Sequence, residues 1–311
     1  MSQKDKYDLC VIIPAFNEEL CLEDFIYQLK DTLNLINIDY VISIVDDGSR
    51  DSTWDQIIKL KNTFPEKIMG FRFSRNFGKD AAIMASLENI YANAYLIMDA
   101  DGQHPVERIQ DFVNMWKNKD FEIINGVKEY GKNVHFLRIF FSKAFNKLFE
   151  KLSGLKLERS TDFKLITRKV AAEIIKCGDY YIFFRALATW VGFKQTNIEF
   201  MVKERQKGYG KWPTKTLINY ALNAIVFYSY FPMYLLFSLA VCIFILSIYL
   251  FVKMIIYYFL GNVETGYSTL LALMLMSLST NLFCFGIIGL YLQKILDQVK
   301  FRPRYILTDS V

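Results

Sequence analysis

Asp99 and Asp101 close the apolar run Ala94-Tyr95-Leu96-Ile97-Met98. A strand delivers its last residues to the sheet edge, where open α/β sheets bind ligands, and residues i and i+2 point the same way. Two carboxylates so placed, joined by the amide oxygen of Gln103, make a candidate divalent metal site facing a diphosphate. Mg2+ or Mn2+ suits such oxygen donors because it keeps waters and shares its remaining positions with substrate phosphates. His104 follows at once, but Pro105 starts the next helix and makes His104 a turn residue rather than a ligand.

Other chemistry-bearing residues recur at strand ends. Leu9–Ile13 and Val41–Val45 are short continuous apolar runs, the pattern of strands buried on both faces. The first leads into Pro14, Ala15, Phe16, Asn17 and Glu18, and the second into Asp46 and Asp47. Carboxylates there can accept hydrogen bonds from a base N–H or from ribose hydroxyls, although the same composition also suits a turn and a helix start. Asp51 and Ser52 are read as that turn. Arg75 and Lys79 can meet phosphate charge, Arg in a bidentate grip.

Elements that position these residues alternate. Leu22, Phe25, Ile26, Leu29 and Leu33 recur at helical spacing, and Ser52 can cap a helix carrying Trp54, Ile57, Ile58 and Leu60. Strands at 68–73, 94–98 and 123–127, with helices near 80–90 and 106–116, complete a doubly wound α/β domain. No Gly-x-Gly-x-x-Gly follows the first strand, which disfavours a dinucleotide-binding oxidoreductase.

The chain has 311 residues, 53% of them hydrophobic and 16% aromatic. The apolar excess is concentrated in two stretches, about 233–253 and 267–292, the first uncharged as far as Val252 and the second throughout, each long enough to cross a hydrocarbon core of roughly 30 Å. The segment Gly261–Gly266 between them carries no Lys or Arg, so they are expected to form a transmembrane hairpin. Lys203, Arg205, Lys207, Lys211 and Lys215 precede the first stretch, and Lys294, Lys300, Arg302 and Arg304 follow the second. By the positive-inside rule both termini and the large domain face the cytoplasm, making a multi-pass protein of the cell membrane. The N-terminus lacks the apolar core of a signal peptide.

Five cysteines show no Cys-x-x-Cys spacing, arguing against a zinc site or a disulfide framework. The net charge of +5 gathers near the expected membrane surface, which points to anionic lipid and away from nucleic acid. Leu137, Phe140, Phe141, Ala144, Phe145, Leu148, Phe149 and Leu152 form a helical stripe opposite Lys143, Lys147 and Lys151. That helix lies either in a headgroup layer or against the core with a solvated Lys face, and the adjacent spans favour the former. The expected division is 1–134 for nucleotide binding, 135–230 for acceptor and interface, and 231–311 for the spans and tail. Two spans per chain also leave self-association open.

Six motifs in order now carry a resemblance: Pro14–Glu19, Val45–Thr53, Ser74–Lys79, Met98–Pro105, Asp162–Leu165 and Glu204–Trp212. Followed by an apolar hairpin, this series resembles the family 2 glycosyltransferases of GT-A fold, in particular those that use a polyprenyl phosphate acceptor. The resemblance implies inverting transfer of a sugar from a nucleotide diphosphate to undecaprenyl phosphate or a relative, with Mg2+ or Mn2+ as cofactor. It implies nucleotide contacts for Pro14–Glu18, Asp46 and Asp47, diphosphate contacts for Arg75, and metal ligation by Asp99, Asp101 and Gln103. Asp162 would be the base or an acceptor-orienting group, against the plainer reading of a helix N-cap or salt bridge. Arg205 and Lys211 would clamp a phosphate, against the plainer role of flanking charge.

Departures from the family pattern are Gly210 where Ser is usual, Lys128 where Arg is expected, and Gly102 where Leu is common. Lys128 keeps the charge and loses the planar fork. The motifs leave UDP-glucose, UDP-N-acetylhexosamine and GDP-mannose open, with a UDP-sugar favoured. A processive polysaccharide synthase would carry Gln-x-x-Arg-Trp and more apolar spans, and neither is present. A nucleotide-sugar-binding membrane scaffold without turnover is the alternative from another class, separated by metal-dependent donor consumption.

Overall fold

A computed structural model describes residues 7–118, 121–129, 147, 150–152, 154, 160–179, 182–201, 231–260 and 266–311. The helical stripe Leu137–Leu152, for the most part, and the Glu204–Trp212 loop lie outside the described residues, as do Arg205 and Lys211.

Four parallel strands make the middle of one sheet: β1 (Tyr7–Ala15), β2 (Tyr40–Asp46), β3 (Ile68–Phe73) and β4 (Ala92–Ile97). The apolar runs of β1, β2 and β4 match strands covered on both sides. Every residue of β2 is buried. One face packs under α1 (Leu22–Ile36), α2 (Thr53–Thr63) and α4 (Ile109–Asn118), and Leu22, Phe25, Ile26, Leu29 and Leu33 are the buried residues of α1. The other face packs under α3 (Lys79–Asn89), α5 (Arg168–Cys177) and α6 (Phe184–Trp190). A single 3-10 turn at Val106–Arg108 precedes α4 where a continuous helix is expected.

The sheet is wider and more mixed than the apolar runs predict. Its order is β7-β5-β6-β4-β1-β2-β3-β8. Here β5 is Ile123–Glu129, β6 Ser160–Thr167, β7 Gln195–Met201 and β8 Leu307–Ser310. Strand β6 runs antiparallel between β4 and β5, and β8 runs antiparallel beside β3. Strand β6 escapes an apolar-run search because it alternates: Phe163 and Leu165 enter one core while Asp162 and Lys164 share the opposite face with Ile166. The sequence of β8, Leu-Thr-Asp-Ser, is too short and polar to be read as a strand.

Two compact units emerge, Met1–Pro213 with Arg302–Val311, and Thr214–Phe301. The second contains α7 (Phe231–Phe259) and α8 (Tyr267–Val299). Pro232–Tyr257 and Met276–Val299 are each long and apolar enough to cross a membrane. The expected stretch 267–292 lies wholly within α8, which continues through Lys294 to Val299.

Candidate active site

The parallel strands aim their C-terminal ends at one edge, where Ala15 lies in register with Asp46. Two loops are laced together there. Asn17 takes a left-handed conformation at φ 54°, its amide donates to Ser49 Oγ at 2.9 Å, and its Oδ1 accepts from the Arg50 amide at 3.0 Å. The Glu18 amide donates to Thr53 Oγ1 at 3.0 Å, and the Ser52 amide to Glu19 Oε2 at 2.9 Å. Asp51 accepts from the Thr53 amide and hydroxyl, which closes the turn that starts α2.

Asp46 and Asp47 differ in role. Asp46 Oδ1 accepts from the Ser49 amide at 2.8 Å, while its buried Oδ2 has no hydrogen bond and lies 3.4 Å from Arg72 Nε. Asp47 Oδ1 accepts from the Phe77 amide at 2.6 Å and Oδ2 from the Gly78 amide at 3.0 Å. Burial pushes the Asp47 carboxyl up to about 6, although those two amides pull it down. Gly48, at φ +71°, lets the backbone of Arg75 and Asn76 approach so closely that a Cβ would stand 2.5 Å from Arg75 C. Arg75 stacks its guanidinium 4.1 Å from the centre of the Phe77 ring.

At the end of β4 a second group assembles. Asp101 Oδ1 accepts from the Gln103 amide at 3.0 Å, turning the chain back. His104 is buried, stacks on Phe163 at 4.9 Å, and accepts the Asp99 amide on Nδ1 at 3.1 Å. Burial lowers its pKa, so the imidazole is neutral and serves to hold Asp99 in place. This agrees with a turn role.

Lys79, expected to face phosphate, bridges two carboxylates: its Nζ contacts Asp99 Oδ1 and, at 2.6 Å, Asp162 Oδ2. Asp162 sits on strand β6 and at no helix N-cap, and it is in a salt bridge. Arg185 of α6 grips both of its oxygens, Nε to Oδ1 at 2.5 Å and Nη2 to Oδ2 at 2.7 Å. Burial would raise the Asp162 pKa, yet Arg185 and Lys79 outweigh it and hold the carboxyl well below the usual range. Asp99 is likewise lowered, Lys79 outweighing its burial. Lys128 on β5 belongs to the same field: burial and Arg185 lower its pKa, while Asp99, Asp101 and Asp162 raise it.

Arg185 carries no motif and is absent from the sequence reading. Its one signal is a lone cation inside the run Ile182–Ala188. Asp80, next to Lys79, is equally silent in sequence; it accepts the Phe184 amide at 3.2 Å and so pins the start of α6 beside Asp162. Among the described residues, no three His, Cys, Asp or Glu side chains converge as a metal cluster.

Residues 10–175 match the model of glycosyl transferase family 2. An uncharacterized glycosyltransferase of Synechocystis is 32% identical over 97% of this chain and 95% of its own length. The SfII prophage-derived bactoprenol glucosyl transferase of Shigella flexneri is 28% identical over 97% of this chain and 98% of its own. Among solved structures, a Pyrobaculum calidifontis mannosyltransferase in complex with GDP-Man and Mn2+ is similar over 72% of this chain and 71% of its own, at 15% identity and a TM-score of 0.45. The matched residues take in both laced loops, the Asp99–Asp101 pair, Lys79 and Asp162, and cover more than half of the protein, so this chain belongs to glycosyl transferase family 2.

Proposed function

We propose that this glycosyltransferase moves a sugar, with inversion, from a nucleotide diphosphate donor, a UDP-sugar by preference, to a polyprenyl phosphate at the cytoplasmic face of the membrane. The observation that carries this reading is the alignment with a bactoprenol glucosyl transferase over 97% of this chain, both long apolar helices included.

On this reading Pro14–Glu18, Asp46 and Asp47 receive the nucleoside, and Arg75 meets the diphosphate. Asp99 and Asp101 suit Mg2+ or Mn2+: they are hard oxygen donors at i and i+2, with Gln103 adjacent. Asp99 and Asp101 would hold the ion with Gln103, and Mg2+ at phosphates usually takes its remaining positions from water and substrate. Bound there, such an ion would supply positive charge against the departing diphosphate. The protein holds Asp99 ready through the His104 contact to its amide and keeps its charge balanced by Lys79.

An acceptor phosphate oxygen attacks the anomeric carbon as the bond to the diphosphate breaks, and the diphosphate leaves with the electron pair. The phosphate monoester needs little help to lose its proton, since its second pKa is about 6. Asp162, kept ionised by Arg185 and Lys79, then orients cations around the acceptor rather than taking a proton. Lys128, Arg205 and Lys211 add positive charge for the two phosphate groups. Rate comes from alignment and electrostatics.

The test is a panel of UDP- and GDP-sugars given to the full-length protein with undecaprenyl phosphate and Mn2+ or Mg2+, with mass analysis of the lipid. A glycosyl phospholipid from one UDP-sugar is expected, abolished by chelation. No glycolipid from any donor would overturn the proposal, and unchanged synthesis by an Asp99→Ala, Asp101→Ala double variant would overturn the metal assignment.

A further inference from the structure

Strand β3 has β2 on one side and would otherwise present its other edge to water, together with the core residues Phe71 and Phe73. The chain that follows α8 covers it. Val311 exchanges two backbone hydrogen bonds with Gly70, at 2.8 and 2.9 Å, and the Ser74 amide donates to Ile306 O at 3.0 Å. Tyr305 stacks on Phe73 with ring centres 5.1 Å apart and planes 17° apart. Its hydroxyl donates to Glu88 Oε2 at 2.7 Å and accepts from Asn89 Nδ2 at 3.1 Å, while Arg304 Nη1 donates to Glu88 Oε1 at 3.2 Å. Tyr305 is therefore fixed at both its face and its tip.

Phe73 passes this placement on. Its ring meets Phe77 edge-on at 5.7 Å, and Phe77 carries Arg75 on its face and donates its amide to Asp47. A line of packed rings thus runs from Tyr305 through Phe73 to Phe77, whose backbone amide reaches the Asp47 carboxylate. We infer that Tyr305 is a positioning residue for donor binding, and that residues 302–311 support the 75–78 loop over the nucleotide. This rests on the reading of Asp46 and Asp47 as nucleotide contacts.

Without the ring at 305, Phe73 loses its stacked partner and the 75–78 loop its backing, while the Asp99–Asp162–Arg185 group keeps every contact described above. The effect should fall on the affinity for the nucleotide and spare the chemical step. For Tyr305→Ala in the full-length protein, the Kd for UDP (or GDP, if the donor panel selects it) and the donor KM should rise about fivefold, with kcat and acceptor KM within about twofold. Tyr305→Phe keeps the stack and should stay near the native values. Tyr305→Leu keeps apolar cover over Phe73, loses the stack and both hydroxyl contacts, and gives the same readout if the alanine variant cannot be purified. Asp47→Asn is the comparator. If it weakens nucleotide binding while Tyr305→Ala and Tyr305→Leu do not, the positioning role is wrong. If the Tyr305 variants lower only the active fraction, with Kd and KM unchanged, Tyr305 is merely structural and the inference also fails. If Asp47→Asn leaves binding intact, the nucleotide reading itself falls.

Discussion

Arg185 and Lys79 meet at Asp162 Oδ2, the guanidinium in a fork that spans both oxygens at 2.5 and 2.7 Å and the ammonium at 2.6 Å. A carboxylate so neutralised stays ionised far below neutrality, and a weak base is what remains. Asp162→Asn should lower kcat by about 10²–10³, the scale of losing one organising group around developing charge. Donor Kd should hold within a few fold, because the Asp162 contacts run to Lys79 and Arg185 and not to Asp46 or Asp47. The acid limb of the native pH–rate profile should also come from other groups. An Asp162 pKa visible between pH 5 and 8 would reinstate it as a base.

Removing the other half of the fork separates charge from geometry. Arg185→Lys keeps the cation but cannot reproduce two parallel N–H···O bonds. Because the Arg185 side chain is 38% exposed, solvent screens part of the loss, and a cost of about 1–2 kcal/mol in unfolding free energy is expected. Turnover should fall more than tenfold, since Asp162 and Lys79 are then free to shift. Equal turnover in the two proteins would show that the fork has no part in the reaction.

Asp47 makes two opposed predictions for pH. Its carboxyl rises from an ordinary 3.8 to about 6 on folding, mainly through burial, so the folded state binds the proton more tightly. The stabilisation this supplies is full below about pH 4 and is lost as pH rises through 6, on the order of 3 kcal/mol in all. Donor affinity should run the other way. A protonated Asp47 loses acceptor capacity for the Phe77 and Gly78 amides and for the nucleotide, so donor KM should rise as pH falls below about 6. Asp47→Asn should flatten both curves, measured by unfolding in detergent and by initial rates. A pH-dependent donor KM that survives the substitution would assign the effect elsewhere.

The parts of this molecule legible in its sequence are those where one residue type repeats for one reason. Buried strands β1, β2 and β4 read as apolar runs because both faces are covered, and α1 reads as a stripe because one face is. Strand β6 was hidden because its Asp162 and Lys164 break the run for the sake of the site. Arg185 lies 23 residues from Asp162 and was hidden because its partner is set by tertiary packing alone. Tyr305 is more than 200 residues from Glu88 and Phe73, and nothing local marks the pairing.

Gly48 and Gly178 test close approach against strain. Both have positive φ, +71° and +70°, but only at Gly48 would a Cβ meet backbone, 2.5 Å from Arg75 C and 2.8 Å from Asn76 N. Gly178, past the end of α5, has nothing nearer than 3.7 Å. Each alanine should cost about 1–2 kcal/mol in strain. Gly48→Ala must in addition push apart the loops bearing Asp47 and Arg75, so nucleotide Kd should rise at least tenfold, while Gly178→Ala leaves Kd unchanged. Matching Kd values for the two variants would remove the close approach from the binding account.

Lys164 gives the last test. It is fully buried on β6, in register with Ile97 of β4 and Asn125 of β5, and burial lowers its pKa to about 8 even though Asp162 pulls it up. A depressed folded value makes the unfolded chain the stronger proton binder between about 8 and 10.5, so stability rises with pH across that window, by on the order of 3 kcal/mol, and is lost again as pH falls through 8. Lys164→Met keeps the length of the side chain without the charge and should remove this slope in unfolding experiments from pH 7.5 to 10.5. The same titration takes one positive charge out of the group formed with Asp162 and Arg185. Acceptor KM should therefore climb above pH 8 in the native protein, as the field that attracts a phosphate weakens, and stay level in the Met variant. Parallel stability slopes in the two proteins would mean that the Lys164 ammonium persists through the window, and the acceptor effect would then have to come from Lys128 or from the phosphate itself.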